Sequence, residues 1–153
     1  MSKLALISGA NRGLGLETAR QLGQLGFEVL LGARDAEAGA AAAAKLRQQG
    51  VKADTLLLDV ASGPSIAKAT AEVAVRHRAL DVLINNAGVL LDDHSKPPSA
   101  QSLEVWHRTF EVNFFGTIAV TRAFLPLLRA APAARIVNLS SRLASLTLHS
   151  DPA

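Results

Sequence analysis

The residues with the clearest chemical potential are Ser8-Gly9-Ala10-Asn11-Arg12-Gly13-Leu14-Gly15. A short apolar run, Leu4-Ala5-Leu6-Ile7, precedes them, and a helix-forming segment begins at Leu14. Strand, glycine turn and helix in that order make a cradle for a diphosphate. Backbone N–H groups point outward at the turn, and the positive end of the helix dipole faces the same way. A Cβ at the glycine positions would block the anion or demand an unfavourable φ. Further along, Ala33-Arg34, Asp59-Val60, Asn85-Asn86-Ala87-Gly88 and Ser140-Ser141 each close an apolar run with polar or small residues, and Asn113 stands within Val112-Asn113-Phe114-Phe115-Gly116-Thr117.

Regular elements must position these groups, and the hydrophobic pattern supplies them. Strands are expected at 4–8, 27–32, 55–58, 81–85 and 135–139, each a short apolar run bounded by turn signals. Helices are expected at 14–25, 36–49, 62–77 and 100–128. The first carries Leu14, Thr18, Leu22 and Leu25 at helical spacing with Gly26 as its stop. The second is rich in alanine, which suits a helix packed close to a sheet. Ser62 caps the third, with Pro64 in its first turn. Residues 89–99 and 142–153 read as loop. The alternation implies a parallel sheet with helices on both faces, that is, an α/β doubly wound Rossmann fold. In such a sheet, ligands bind beyond the carboxyl ends of the strands. The clusters at residues 8–15, 33–34, 59–60, 85–88 and 140–141 all fall at such an end.

Composition narrows the function further. A chain of 153 residues is one domain with room for a core. There is no cysteine, hence no disulfide framework and no thiolate chemistry. No apolar run reaches the length of a membrane span, and Met1-Ser2-Lys3-Leu4 lacks a signal-peptide pattern, so the expected location is the cytoplasm. The net charge of +3 comes from scattered Lys and Arg, densest at Arg76-His77-Arg78, and no basic stripe carries interleaved aromatics. Nucleic acid is therefore not an expected partner. Nor is a metal: Asp92, Asp93 and His94 are adjacent in a loop and cannot readily converge on one ion.

Taken together, the chain resembles the short-chain dehydrogenase/reductase family over essentially its whole length. The family's glycine motif is met by Ser8, Gly9, Gly13 and Gly15. Its Asn-Asn-Ala-Gly signature is met by Asn85 to Gly88, its central-helix asparagine by Asn113, and its strand-five serine by Ile136-Val137-Asn138-Leu139-Ser140-Ser141. The turn around Arg12 and the Ala33-Arg34-Asp35 segment look like the carbonyl-reductase and retinol-dehydrogenase-like branches. The resemblance implies hydride transfer between a nicotinamide dinucleotide and a small carbonyl or alcohol substrate. It places the diphosphate on Ser8, Gly9, Asn11, Arg12, Gly13, Leu14 and Gly15. Asp59 would accept from the adenine amino group, Val60 would add a backbone contact, and Asn86, Ala87 and Gly88 would flank the adenosine ribose. Ser141, or Ser140 if the register slips by one, would hydrogen-bond the substrate oxygen, and Asn113 would serve a proton relay.

Cofactor choice follows from charge. NAD enzymes of this type end the second strand with a carboxylate that holds the ribose hydroxyls. Here Ala33 holds that place and Arg34 follows. A guanidinium suits a 2′-phosphate by charge and bidentate hydrogen bonding, and Arg12 could reach the same group. NADP(H) is therefore expected over NAD(H), although Asp35 could engage Arg34.

The family's acid/base is a tyrosine with a lysine four residues later. This chain has no tyrosine, and its last lysine is Lys96. The expected reading is the N-terminal part of a longer reductase, truncated after the fifth strand, with the fifth strand as a raw edge. Phe114, Phe115, Ile118 and Phe124 are expected to be uncovered, and homo-oligomerisation is expected to be open to such a surface. The alternatives are a non-catalytic dinucleotide-binding module and an interaction protein using its bared edge.

Overall fold

The computed structural model describes residues 2–142 and residue 147. Five parallel strands, β1 (Leu4–Ser8), β2 (Glu28–Ala33), β3 (Ala53–Leu57), β4 (Val82–Asn85) and β5 (Arg135–Asn138), form one sheet in the order β3-β2-β1-β4-β5. Helices α1 (Gly13–Gln24), α2 (Ala36–Gln48), α3 (Gly63–Arg76), α4 (Leu103–Phe110) and α5 (Thr117–Ala130) connect them. The strand order turns back at β1, where the chain moves first outward to β3 and then across to β4. This is the doubly wound arrangement, with its switch point between β1 and β4.

Alternation along β1 explains why its residues 4–7 are apolar throughout. Leu4 and Leu6 join Leu30, Leu56 and Leu83 in a cluster closed by Ile66 and Val73 of α3 and by Val120, Phe124 and Leu127 of α5. Ala5 and Ile7 face the other way, into Val29, Leu31, Ala19 of α1 and Ala42, Ala43 and Leu46 of α2. A strand covered on both faces has no polar side to keep. Each fully buried Leu, Ile, Val or Phe contributes about 1.5–3 kcal/mol of transfer free energy, so the two clusters supply the main cohesion. The alanine-rich α2 packs close because its inward residues are small. A Cβ at Gly39 would stand 3.1 Å from the Cβ of Ala33.

Several element details differ from the sequence pattern. β3 begins at Ala53 and ends at Leu57, because pairing with β2 from Val29↔Ala53 to Ala33↔Leu57 sets its register. Its Asp54 and Thr55 are tolerated there because β3 is a sheet edge. The inward stripe of α1 is Gly15 and Ala19, with Leu16 and Leu22 partly buried, while Leu14 and Leu25 are exposed. Residues 100–128 do not form one α-helix. Pro98–Ala100 is a 3₁₀ turn, Ser102 caps α4 by accepting from Val105 N (3.3 Å), and Glu111–Gly116 is a π-helical turn joining α4 to α5.

The expected exposure holds for Phe114, Phe115 and Ile118, which are 42–53% accessible. Phe124 is a correction: it is fully buried, because Val120, Phe124, Leu127 and Leu128 repeat at helical spacing toward the sheet. All four residues of β5 are exposed. Among the described residues, no helix is long and apolar enough to cross a membrane.

Candidate functional site

The carboxyl ends of β1 to β4 open into one cleft of about 480 Å³. Gly9, Asn11, Arg12, Gly13, Leu14 and Gly15 line it from the first turn, Arg34 from the second, Asp59 and Val60 from the third, and Asn86, Ala87 and Gly88 from the fourth. Twelve residues scattered over 80 positions thus meet at one place. Asp35, weighed in the sequence only as a possible partner of Arg34, completes the wall together with Leu58, Val89 and Val112, which were not given a role there. Each neighbours a residue that was, and adjacency was the only signal available.

The glycine turn is shaped by close approach and by unpaired donors. Gly9 has φ +64°, and a Cβ there would stand 2.9 Å from the Ala87 Cα. A Cβ on Gly15 would overlap the Asn86 amide. Asn86 Nδ2 donates to Ser8 O (2.8 Å) and Gly9 O (3.1 Å), drawing the β1 and β4 turns together. Helices α2, α3 and α4 are capped by Asp35, Ser62 and Ser102, but α1 has no side-chain cap and no acidic residue in its first turn. Its leading N–H groups therefore remain available to an anion in the cleft.

Ser8 is buried, and it lies beneath the cleft rather than among its lining residues. Its hydroxyl accepts from Asn86 N (3.1 Å) and Ala87 N (3.0 Å), so it supports the fourth turn from below.

On the charged side, Arg12 and Arg34 line the same cleft and are exposed. Among the described residues, neither has an ion-pair partner. Asp35, the carboxylate beside Arg34, accepts from Ala38 N (3.0 Å) as the cap of α2. Asp59 Oδ1 accepts from Ala61 N (3.0 Å), and Asp59 N donates to Ser65 Oγ (2.9 Å), which fixes that turn against α3.

Asn113 and Ser141 are not among the described residues lining the cleft. Asn113 sits in the π-helical turn and grips the rim. Its Oδ1 accepts from Val89 N and its Nδ2 donates to Val89 O, both at 2.8 Å. Ser140 and Ser141 follow β5 at the same end of the sheet. A polar clasp holds that end: buried Asn85 donates to Thr121 Oγ1 (3.0 Å) and to Asn138 Oδ1 (2.8 Å), and Leu139 N donates to Asn85 O (3.0 Å). The loop acids are occupied locally. The Asp93 carboxyl is held below its usual range chiefly by the Ser95 hydroxyl and then by Lys96. Among the described residues, no group of three or more His, Asp or Glu is placed to hold a metal ion.

A family model described as short chain dehydrogenase matches residues 3–151. The chain belongs to that family. Among curated short-chain dehydrogenases, anuI of Penicillium roqueforti is 39% identical over 97% of this chain and 60% of its own length. Carbonyl reductase (NADPH) 1 of Mus musculus is 37% identical over 90% of this chain and 48% of its own length. A metagenomic short-chain oxidoreductase solved in complex with NADP superimposes with a TM-score of 0.83 at 34% identity, covering 91% of this chain and 62% of that one. An actinorhodin polyketide ketoreductase with NADPH gives 0.84 at 37% identity, covering 92% and 53%. The chain therefore spans about half to three-fifths of the length of these short-chain dehydrogenases.

Proposed function

We propose that this chain supplies the dinucleotide-binding part of an NADP(H)-dependent oxidoreductase acting on a small carbonyl or alcohol. The observation that carries the reading is the pairing of Arg12 and Arg34 on one cleft with the uncapped N-terminus of α1. The residues fit the group. Close approach at Gly9 and Gly15 packs the first turn against the fourth, a Cβ on Gly13 would stand in open space, and the α1 amides would hold the diphosphate. Arg34, with Arg12 on the same cleft, would hold the 2′-phosphate, and the carboxylate that would repel it is engaged as a helix cap. Asp59 and Val60 would seat the adenine, and Asn86 to Gly88 the adenosine ribose. NADP- and NADPH-bound relatives support this choice.

When bound, the nicotinamide supplies the hydride donor or acceptor. Ser141 would donate a hydrogen bond to the substrate oxygen, and Asn113 would keep the Val89 rim in place beside it. The 153 residues contain no tyrosine to move the proton, so the chain by itself is expected to bind without turning over. That same observation favours a second reading, a dinucleotide-binding module without catalysis. The exposed faces of Phe110, Phe114, Phe115 and Ile118 support self-association of either.

Calorimetry with NADPH and NADH on the 153-residue chain tests the proposal. NADPH is expected to bind more tightly. Arg34→Ala should cost it about 10–100-fold, the worth of one or two charge-assisted hydrogen bonds, while NADH changes little. Equal losses for both dinucleotides, or no binding of either, would refute the assignment of Arg34.

A further inference from the structure

Gly116 closes the π-helical turn, is buried, and is not among the described residues lining the cleft. A Cβ built on it would stand 2.8 Å from the Val60 carbonyl oxygen, and 3.1 Å from both Val60 Cγ2 and the Glu111 carbonyl oxygen. Two of those three neighbours are backbone, so no flexible side chain can swing aside. Val60 is therefore seated directly on Gly116. On its other flank, the same turn is tied to α3: Asp59 N donates to Ser65 Oγ (2.9 Å), and Ser62 N donates to Asp59 O (3.1 Å).

The π-helical turn touches the opposite rim as well. Val112 lines the cleft wall, and Asn113 holds both backbone groups of Val89. One six-residue turn thus contacts the Asp59-Val60 lip through Gly116 and the Val89 lip through Asn113. Turns of this kind, inserted in an otherwise α-helical run, occur frequently at functional sites. We propose that Gly116 is a positioning residue that sets the spacing between the two lips, and with it the affinity for the adenosine end of the ligand. This rests on reading the cleft as a dinucleotide site, and it assigns a role to a residue that no ligand atom would touch.

The test compares Gly116→Ala with Gly63→Ala, the same chemical change three residues from Val60 at a position where a Cβ meets nothing within 4 Å. Two readouts are taken on the 153-residue chain. Amide resonances are recorded without ligand, and binding of adenosine 2′,5′-bisphosphate is measured by calorimetry. Gly116→Ala is expected to displace the resonances of Asp59, Val60 and Ala61 and to weaken binding about tenfold, well within what a displacement of under 1 Å can do to an oriented contact. Gly63→Ala should match wild type in binding.

Unmoved resonances at residues 59–61 would overturn the proposal, as would moved resonances with undiminished binding. If wild type itself does not bind the bisphosphate, the nucleotide reading fails and the affinity half of the proposal fails with it. The resonances then decide separately whether Gly116 seats the lip. Should Gly116→Ala not fold, the double variant with Val60→Ala removes the Cγ2 contact and keeps the carbonyl contact, and is compared with Val60→Ala alone.

Discussion

Replacing Ser8 with alanine removes one oxygen on which two amides of the fourth turn depend. The hydroxyl accepts from Asn86 N at 3.1 Å and Ala87 N at 3.0 Å, while its own contact to Ile84 O, at 3.5 Å, is too long to contribute much. Ser8 is only 1% exposed, so no solvent takes its place from below. An N–H left without an acceptor costs about 1–3 kcal/mol when buried. Asn86 and Ala87 are half-buried and border the cleft, so water reaches them in part and the low end of that range applies. The expected loss for Ser8→Ala is about 2–3 kcal/mol in total, or about 5–10 °C in Tm for a chain of this size. Urea unfolding should show the midpoint falling at an unchanged slope. Ser8→Thr keeps the oxygen in a strand position that accepts a β-branched residue, and should recover more than half of the loss. A Ser8→Ala protein within about 0.5 kcal/mol of wild type would show that the hydroxyl does not hold the fourth turn.

Other perturbations separate further parts of the argument. Gly9→Ala should destabilise more than Gly13→Ala. Both glycines have positive φ, costing a side chain about 1–2 kcal/mol, but only at Gly9 does the new Cβ also meet backbone, at 2.9 Å. Equal urea midpoints for the two would remove the close approach to Ala87 from the account. Phe124→Ala should cost about 3–5 kcal/mol and Phe115→Ala less than about 1 kcal/mol, since the first is fully buried and the second half-exposed. A reversed order would mean that α5 packs through its other face. The Glu17 carboxyl is lowered from its ordinary 4.5 to about 2, first by hydrogen bonding from Arg20 and then from Gln21. A depressed native value means that its contribution is present above pH 4.5 and lost as pH falls toward 2. Glu17→Gln should flatten the acid limb of the stability profile across that window, and 1 M salt should shrink the difference. An unchanged limb would count against the pair.

Much of this molecule can be read locally. The Ser8–Gly15 turn, the Asn85–Gly88 turn and the two arginines carry their signal within a few residues, and the strands that deliver them are continuous apolar runs. What could not be read was set by distant partners. The acceptors and donors around Ser8 lie almost 80 positions away, so its support of the fourth turn was invisible in Leu4–Ser8 itself. The π-helical turn has no composition of its own, because Glu111–Gly116 takes that form while meeting Val60 and Val89. The burial of Phe124 was legible in principle. Positions 120, 124, 127 and 128 share a face, and expecting exposure there weighed a missing neighbour above the helical period. The edges of β3 moved because ladder pairing, and not hydrophobicity, decides where an edge strand begins.

Among the described residues, strand β5 has one hydrogen-bonded neighbour, β4, and no buried residue among its four. Its protection against amide deuteration therefore comes from the ladder to β4 and the Asn85 clasp, with little from burial. Exchange should advance from this end of the sheet inward, reaching β1 and β2 last. Ser140 and Ser141 ride on the least protected strand, so whatever seals its outer side also governs how long their hydroxyls hold station.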